Sequence, residues 1–212
     1  MIKEFKLQDI VNDEKVIDCS AEFLKSKIDF NKKVERPPLA VSIGLDDRSY
    51  NGVNYPLKFA SYGNISMISG EEKSRKTFFK SLLEANAIGG KSNNYTDTLE
   101  IQGYLNDKYI ISIDSEQSEY DATMTAKRVP FMCGSIPENY IALQWREYNT
   151  TERLQLLEWL FMESEYKNNL GWCIIDGIVD FVKDFNDRIE CKEITEKLMK
   201  YTSLTNCAVT CM

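Results

Sequence analysis

The chain has 212 residues, 43% hydrophobic and 28% charged, which is ordinary for a globular protein with a sizeable core. The formal net charge of -7 argues against an overall basic surface for nucleic acid, although basic groups confined to one loop remain compatible with it. The chain contains no histidine, so a zinc site with histidine ligands and a histidine general base are excluded. No apolar run is long enough to cross a bilayer and the N-terminus lacks a signal-peptide core, so we expect a cytoplasmic protein without a membrane partner.

The N-terminal segment has apolar residues at helical spacing between residues 7 and 27, which predicts a small helical appendage. Arg36-Pro37-Pro38 is the clearest break in the sequence, so we place the domain boundary there, with an appendage over 1–36 and a core over 37–212. Beyond this break, apolar segments at 39–43 and 57–60 predict two strands, and residues 50–53 predict a hairpin turn between them.

From residue 64 onward the pattern alternates between strands and helices. The predicted strands span 65–69, 109–113, 140–145, 172–175 and 207–212, and the predicted helices span 76–87, 118–129, 150–165 and 189–204. This alternation predicts an α/β fold in which a mainly parallel sheet carries helices on both faces. Three of the six scattered cysteines lie in apolar segments, so we expect Cys173, Cys207 and Cys211 to be reduced, buried thiols.

The segment Gly70 to Thr77, with the sequence GEEKSRKT, lies between a predicted strand and a predicted helix. Phosphate-binding loops of this layout use exposed backbone N–H groups, a lysine that reaches the outer phosphates and a hydroxyl that binds magnesium. Gly70, Lys76 and Thr77 stand at the positions that this pattern requires. Arg75 replaces the second glycine of the pattern, and a charged, solvated turn is the simpler alternative for the loop alone.

Acidic residues follow two of the later strands. Glu116 follows the strand that ends near Asp114, and Asp176 ends the strand at 172–175. Because the carboxyl ends of parallel strands meet at one edge of a sheet, these carboxylates should converge on the loop at Gly70. Asp176 then suits a ligand of magnesium and its water, and Glu116 suits the base that orients the attacking water. Each acid alone is more simply explained as a solvent-facing strand end.

Three segments together resemble RecA-like P-loop ATPases: SGEEKSRKTFF at 69–79, IDSEQS at 113–118 and IIDGIVD at 174–180. The most similar branch is the replicative-helicase-like ATPases of phages and mobile elements, related to RepA and DnaB helicases. The resemblance covers roughly residues 38–212, and in that branch an arginine before the loop lysine is tolerated.

The resemblance implies a RecA-like core that binds ATP and Mg²⁺ and hydrolyses the nucleotide. Its implied catalytic residues are Lys76, Glu116 and Asp176, and its implied magnesium ligands are Thr77 and Asp176, partly through water. The implied nucleotide-binding residues are those of the loop and the first helical turn: Gly70, Lys73, Ser74, Arg75, Lys76, Thr77 and Phe78. Implied partners are ATP or ADP, single-stranded DNA and further copies of the chain in a ring, with work in DNA replication.

The resemblance also implies segments beyond residue 212: a polar sensor, further strands and an arginine finger. We therefore expect a C-terminally truncated core, either a fragment or a degenerate ATPase, and a low rate of hydrolysis. Two alternatives stay open, namely a non-catalytic nucleotide-binding or assembly module and a KaiC-like regulatory ATPase that acts on proteins.

Two further groups of residues invite a functional interpretation. Asp180, Asp184 and Asp187 resemble an acidic metal cluster, but their interleaved apolar residues fit a solvated helix or loop better. Three tyrosines upstream of the loop have the chemistry to stack on adenine, although packing is the simpler explanation: Tyr50, Tyr55 and Tyr62.

Overall fold

The computed structural model describes residues 18–33, 35–45, 54–71, 74–89 and 100–212. The predicted hairpin turn at 50–53 and the first part of the predicted appendage lie outside these ranges. The chain divides into two compact units between Arg36 and Pro37. In the first unit, helix α1 spans Cys19–Lys25 and begins at Asp18, whose carboxylate accepts hydrogen bonds from the amides of Ser20 and Ala21.

The second unit contains eight strands and five helices within the described ranges. The strands are β1 (Leu39–Leu45), β2 (Pro56–Ser61), β3 (Ile65–Met67), β4 (Ile101–Gly103), β5 (Tyr109–Asp114), β6 (Tyr140–Gln144), β7 (Leu170–Asp176) and β8 (Ala208–Cys211). The helices are α2 (Lys76–Gly89), α3 (Glu119–Ala126), α4 (Arg128–Cys133), α5 (Thr150–Met162) and α6 (Arg188–Thr205), and a 3-10 turn spans Ile178–Phe181.

The larger sheet has five strands in the order β3-β8-β7-β5-β6, and all neighbouring strands are parallel. The parallel sheet flanked by helices is therefore confirmed. From β5 the chain continues outward to β6, whereas from β7 it continues in the opposite direction to β8. The crevice beyond the ends of β5 and β7 is thus the topological switch point, where open α/β sheets bind their ligands.

Different secondary-structure elements pack against the two faces of this sheet. Strand β7 is buried along its whole length, and its successive side chains point to opposite faces of the sheet. Cys173 and Ile175 pack with α5 and α6, through residues such as Phe161. Trp172 and Ile174 pack on the other face with α2 and the second sheet. Cys173, Cys207 and Cys211 are buried free thiols, as their apolar surroundings predict.

A second, antiparallel sheet has the order β2-β1-β4. Strand β4 was not predicted, since three residues are too few to show a strand period. Its Gly103 lies directly against α2, because a Cβ atom at this position would come within 2.7 Å of the carbonyl carbon of Ala87. The small strand therefore lets the C-terminal part of α2 approach the second sheet closely.

The predicted helix at 118–129 is two shorter helices, α3 and α4, which meet at Lys127. Pro130 lies in the first turn of α4, and its ring nitrogen has no hydrogen to donate to the carbonyl of Ala126. The continuous helix is interrupted for this reason. Across the described ranges, none of the helices has both the length and the apolar character needed to span a membrane.

Candidate functional site

The loop between β3 and α2 lies at the carboxyl edge of the parallel sheet. The chain keeps its pairing with β8 just beyond β3, because the amide of Ile68 donates to the carbonyl of Cys211 at 2.9 Å. At the other end of the loop, the ammonium of Lys76 donates to the carbonyl of Gly70 at 2.8 Å. The Lys76 side chain therefore reaches the residue that begins the predicted loop. Lys73 of the predicted loop lies outside the described residues.

Two backbone features explain the residues at the ends of this loop. A Cβ atom at Gly70 would lie 2.8 Å from the Ser74 hydroxyl oxygen, so any other residue here would require the Ser74 side chain to rotate away. Arg75 has a φ of 64°, in the left-handed region that favours glycine. The predicted pattern has glycine at this position, and the arginine here adopts the backbone conformation that glycine would supply.

The carbonyl of Arg75 begins α2, accepting hydrogen bonds from the amides of Phe78 and Phe79 at 3.1 Å each. Thr77 is half-buried in the first turn, and its carbonyl accepts from the hydroxyl of Ser81 at 3.1 Å. Ser74 and Phe78 are exposed. The predicted loop residues within the described ranges thus lie at and just before the N-terminus of a 14-residue helix.

Asp114 and Asp176 are direct neighbours at the ends of β5 and β7. The Ser115 hydroxyl ties the two strand ends together, since it is within hydrogen-bond distance of the carbonyls of Asp176 at 3.0 Å and Gly177 at 3.1 Å. One carboxylate oxygen of Asp114 accepts from the amides of Glu116 and Gln117 at 3.1 and 2.8 Å. Asp114 therefore fixes the course of the segment that carries Glu116.

Glu116 is exposed at this edge, close to the turn after β7. Its Cγ atom would lie 2.7 Å from a Cβ atom at Gly177. Partial burial raises the pKa of the Glu116 carboxyl, the negative charge of Asp176 raises it further, and the Lys76 ammonium opposes this rise. The Glu116 carboxylate therefore lies within electrostatic range of both Asp176 and Lys76.

Lys80 is a residue of this site that the sequence pattern did not predict. Its ammonium donates to the Asp176 carboxylate at 2.7 Å, and both side chains are buried. Burial lowers the pKa of Lys80, but the charges of Glu84 and Asp176 outweigh this effect and leave the pKa raised. The available signal was the spacing of Lys80 and Glu84 on α2, four residues apart among apolar residues.

Glu84 continues this buried polar group along α2. One of its carboxylate oxygens accepts from the Tyr140 hydroxyl on β6 at 3.1 Å. Burial raises the pKa of the Glu84 carboxyl, and the Lys80 ammonium opposes the rise. Burial and the charge of Glu84 likewise raise the pKa of Tyr140. A polar cluster therefore reaches from the strand ends into the space between α2 and the sheet.

Arg153 on α5 was also missed, and it joins the turns after β6 and β7. Its guanidinium donates at 3.0 Å to each of the carbonyls of Trp145, Arg146 and Asp180. Because an arginine presents its donors as a rigid fork, one buried side chain holds two separate turns in place. The Arg146 side chain itself is exposed.

The acidic residues after β7 have local structural roles. Asp187 caps α6 by accepting from the amide of Ile189 at 2.7 Å, and Asp184 accepts from the amide of Asn186 at 2.8 Å. Within the described ranges, no group of three or more acidic, histidine or cysteine side chains is arranged to hold a metal ion. Asp184 and Asp187 are exposed, as predicted for a helix or loop with a solvated face, whereas Asp180 is half-buried in the 3-10 turn.

The tyrosines upstream of the loop do not form a common surface in the described residues. Tyr62 is buried, and its hydroxyl donates to the carbonyl of Tyr104 at 3.1 Å. The ammonium of Lys108 lies 4.6 Å from the centre of its ring. Tyr62 therefore packs in the core, Tyr55 is half-buried, and Tyr50 lies outside the described ranges.

No protein-family model matches the chain, and no curated protein matches it.

Proposed function

We propose that the chain binds ATP with magnesium at the loop Gly70–Thr77 and hydrolyses it, as a RecA-like ATPase. The observation that supports this most strongly is that the Glu116 carboxylate, beside the switch point of the parallel sheet, lies within electrostatic range of both Asp176 and Lys76. A basic group, a carboxylate that can act as a base and a carboxylate that can bind magnesium are the groups that phosphoryl transfer to water requires.

The loop suits the phosphates of a nucleotide. The N-terminus of α2 directs unpaired backbone N–H groups and the positive end of the helix dipole at the space before it. The Lys76 ammonium already lies across this loop on the Gly70 carbonyl, so it can exchange this carbonyl for a phosphate oxygen after a small movement. Thr77 in the first turn supplies the hydroxyl that would hold magnesium.

The carboxylates of Asp176 and Glu116 have different roles in this proposal. Asp176 keeps one oxygen on Lys80, and its other oxygen would hold a magnesium-bound water. The raised pKa of Glu116 brings this carboxylate nearer to the range of an effective general base, and Glu116 would orient the attacking water and accept its proton. Magnesium, when bound, supplies positive charge that stabilises the outer phosphates.

A second candidate function is nucleotide binding without hydrolysis. The Lys80 ammonium holds Asp176 and neutralises part of the charge that would otherwise attract magnesium. A lysine in this place favours a module that binds the nucleotide without hydrolysing it and responds by a change in the module's own assembly. The KaiC-like regulatory ATPase remains a third proposal, which rests on the resemblance alone.

The helicase-like role in phage or mobile-element replication is likewise proposed from the resemblance. The formal charge of -7 means that single-stranded DNA would have to contact a local basic segment rather than a generally basic surface. Stimulation of ATP hydrolysis by single-stranded DNA would favour the helicase-like motor over the regulatory ATPase.

The test compares Lys76→Ala, Glu116→Gln and the exposed control Lys200→Ala by calorimetric titration with Mg-ATP and by phosphate release. Loss of a charged hydrogen-bond donor should weaken ATP binding by about 10- to 100-fold in Lys76→Ala. Glu116→Gln should bind ATP like the parent and lose hydrolysis, and the control should match the parent in both assays. Equal binding by Lys76→Ala would show that the loop assignment is wrong. ATP binding by the parent without phosphate release would favour the second candidate.

A further inference from the structure

A cavity of about 310 Å³ lies between α2, β5, β6 and the helices α3 and α4. None of the described residues of the loop at Gly70–Thr77 contributes to its wall. Much of its wall is apolar, including Ala122, Ala126, Pro130 and Ala142. Its volume lies at the lower end of the range for small-molecule sites, and such sites combine apolar walls with a few convergent polar groups.

Several polar side chains line the cavity, including Lys80, Ser112, Lys127 and Tyr140, and two carboxylates lie among them. Glu84 and Asp114 both line the cavity and are only 1% and 6% exposed. In each, one oxygen is fixed by the protein: Glu84 accepts from Tyr140, and Asp114 accepts from the amides of Glu116 and Gln117. The other oxygen of each is buried and accepts no hydrogen bond from the part of the chain that the structure describes. Buried acceptors without a donor are rare in folded proteins, and these two belong to residues that line a space that a ligand can fill.

The charge of the cluster indicates the sign of that ligand. The Lys80 ammonium faces three carboxylates, those of Glu84, Asp114 and Asp176, and its hydrogen bond goes to Asp176. Glu84 and Asp114 thus share one ammonium that is bonded elsewhere. A ligand with a positive charge and N–H donors would satisfy both free oxygens and balance the charge.

The walls distinguish an organic cation from a metal ion. The described residues include no group of three acidic, histidine or cysteine side chains suited to a metal. The apolar part of the wall, with its methyl groups and proline ring, offers contacts for a short hydrocarbon chain or ring instead.

We propose that this cavity is a binding site for a small organic cation, a primary amine or a guanidinium-like compound, held by Glu84 and Asp114. The inference goes beyond the proposed ATPase and does not depend on it, because it uses neither the loop nor Glu116.

The experiment is calorimetric titration of the full chain with three probes: putrescine, agmatine and benzamidine. These carry ammonium, guanidinium and amidinium groups on chains or rings that the cavity can enclose. The neutral diol 1,5-pentanediol and the dianion glutarate serve as matched ligands of the wrong charge. At least one cation should bind with a stoichiometry of one, and neither matched ligand should bind. Binding of none of the three cations, or equal binding of the diol, would overturn the proposal.

The variant Glu84→Gln keeps the shape of the side chain and removes its charge, so binding should weaken by about 10- to 100-fold. The exposed control Glu147→Gln should bind the cation as the parent does. Ala126→Leu fills the cavity from its wall while both carboxylates remain, and it should also abolish binding. Unchanged affinity in both Glu84→Gln and Ala126→Leu would place the cation elsewhere and refute the site. Titration of the same variants with Mg-ATP reports on the loop separately.

Discussion

The buried pair between Lys80 and Asp176 makes the sharpest prediction about stability. Lys80→Met keeps most of the length and apolar character of the side chain and removes the ammonium. The Asp176 carboxylate then loses a hydrogen-bond donor at 2.7 Å, and Asp114 and Glu84 lose the positive charge that they share. These carboxylates would remain buried without a cation.

The expected magnitude follows from the burial of the pair. The side chains of Lys80 and Asp176 are only 3% and 8% exposed, so solvent screens the interaction little. Removing one partner of a buried ion pair costs about 3–5 kcal/mol, because an uncompensated charge is left behind. For a folded unit of this size, that loss lowers the melting temperature by about 6–20 °C.

The assay is urea unfolding of the parent and of Lys80→Met, with Lys192→Met as the control. Lys192 forms an exposed pair with Glu196 on α6, so its replacement should change the free energy of unfolding by less than about 1 kcal/mol. A double variant, Lys80→Met with Asp176→Asn, should lose less stability than the sum of the two single variants, since both changes break one interaction. If Lys80→Met costs no more than Lys192→Met, the buried pair does not hold α2 to the sheet and the reasoning is refuted.

Three further predictions concern other residues of the same region. Arg75→Gly should be more stable than Arg75→Ala by about 1 kcal/mol in urea unfolding, because the positive φ strains any residue with a Cβ; the opposite order would mean that the loop is not left-handed there. Arg153→Lys should lose about 2–4 kcal/mol, since one ammonium cannot replace a fork that serves three carbonyls; an unchanged melting temperature would contradict this. Burial raises the pKa of Glu84 above its ordinary value of 4.5, so between these two values the native state binds more protons than the unfolded chain. The free energy of unfolding therefore falls as pH rises from 4.5 through the raised pKa. Urea unfolding from about pH 4 to about pH 8 should show a shallower fall for Glu84→Gln than for the parent or Glu147→Gln, and identical slopes would contradict the assignment.

The parallel sheet was predictable because its strands are short apolar runs separated by segments of helical period. Strand β7 shows this well, since all of its residues are buried and its sequence is almost continuously apolar. The direction of a parallel sheet then fixes which ends converge, so the position of Asp114 beside Asp176 at one edge of the sheet follows from the strand assignments.

The features that escaped prediction depend on contacts between distant segments. Strand β4 has three residues, and it is a strand because Val41 and its neighbours on β1 pair with it. Lys80 is a charged residue on a helix, which in sequence predicts a solvated face. Its burial follows from the position of Asp176, 96 residues further along the chain, and no local pattern encodes that pairing.

The composition of this buried cluster bears on its purpose. On the same face of the sheet, Leu83 of α2 packs in one apolar cluster with Trp172 and Ile174. An apolar pair in place of Lys80 and Asp176 would hold the helix to the sheet at least as well, because burying two charges costs much of what their attraction returns. Stability alone therefore does not explain why charges lie here. The proposed ligands would explain them, since phosphate, magnesium or an amine needs charged groups already fixed in place.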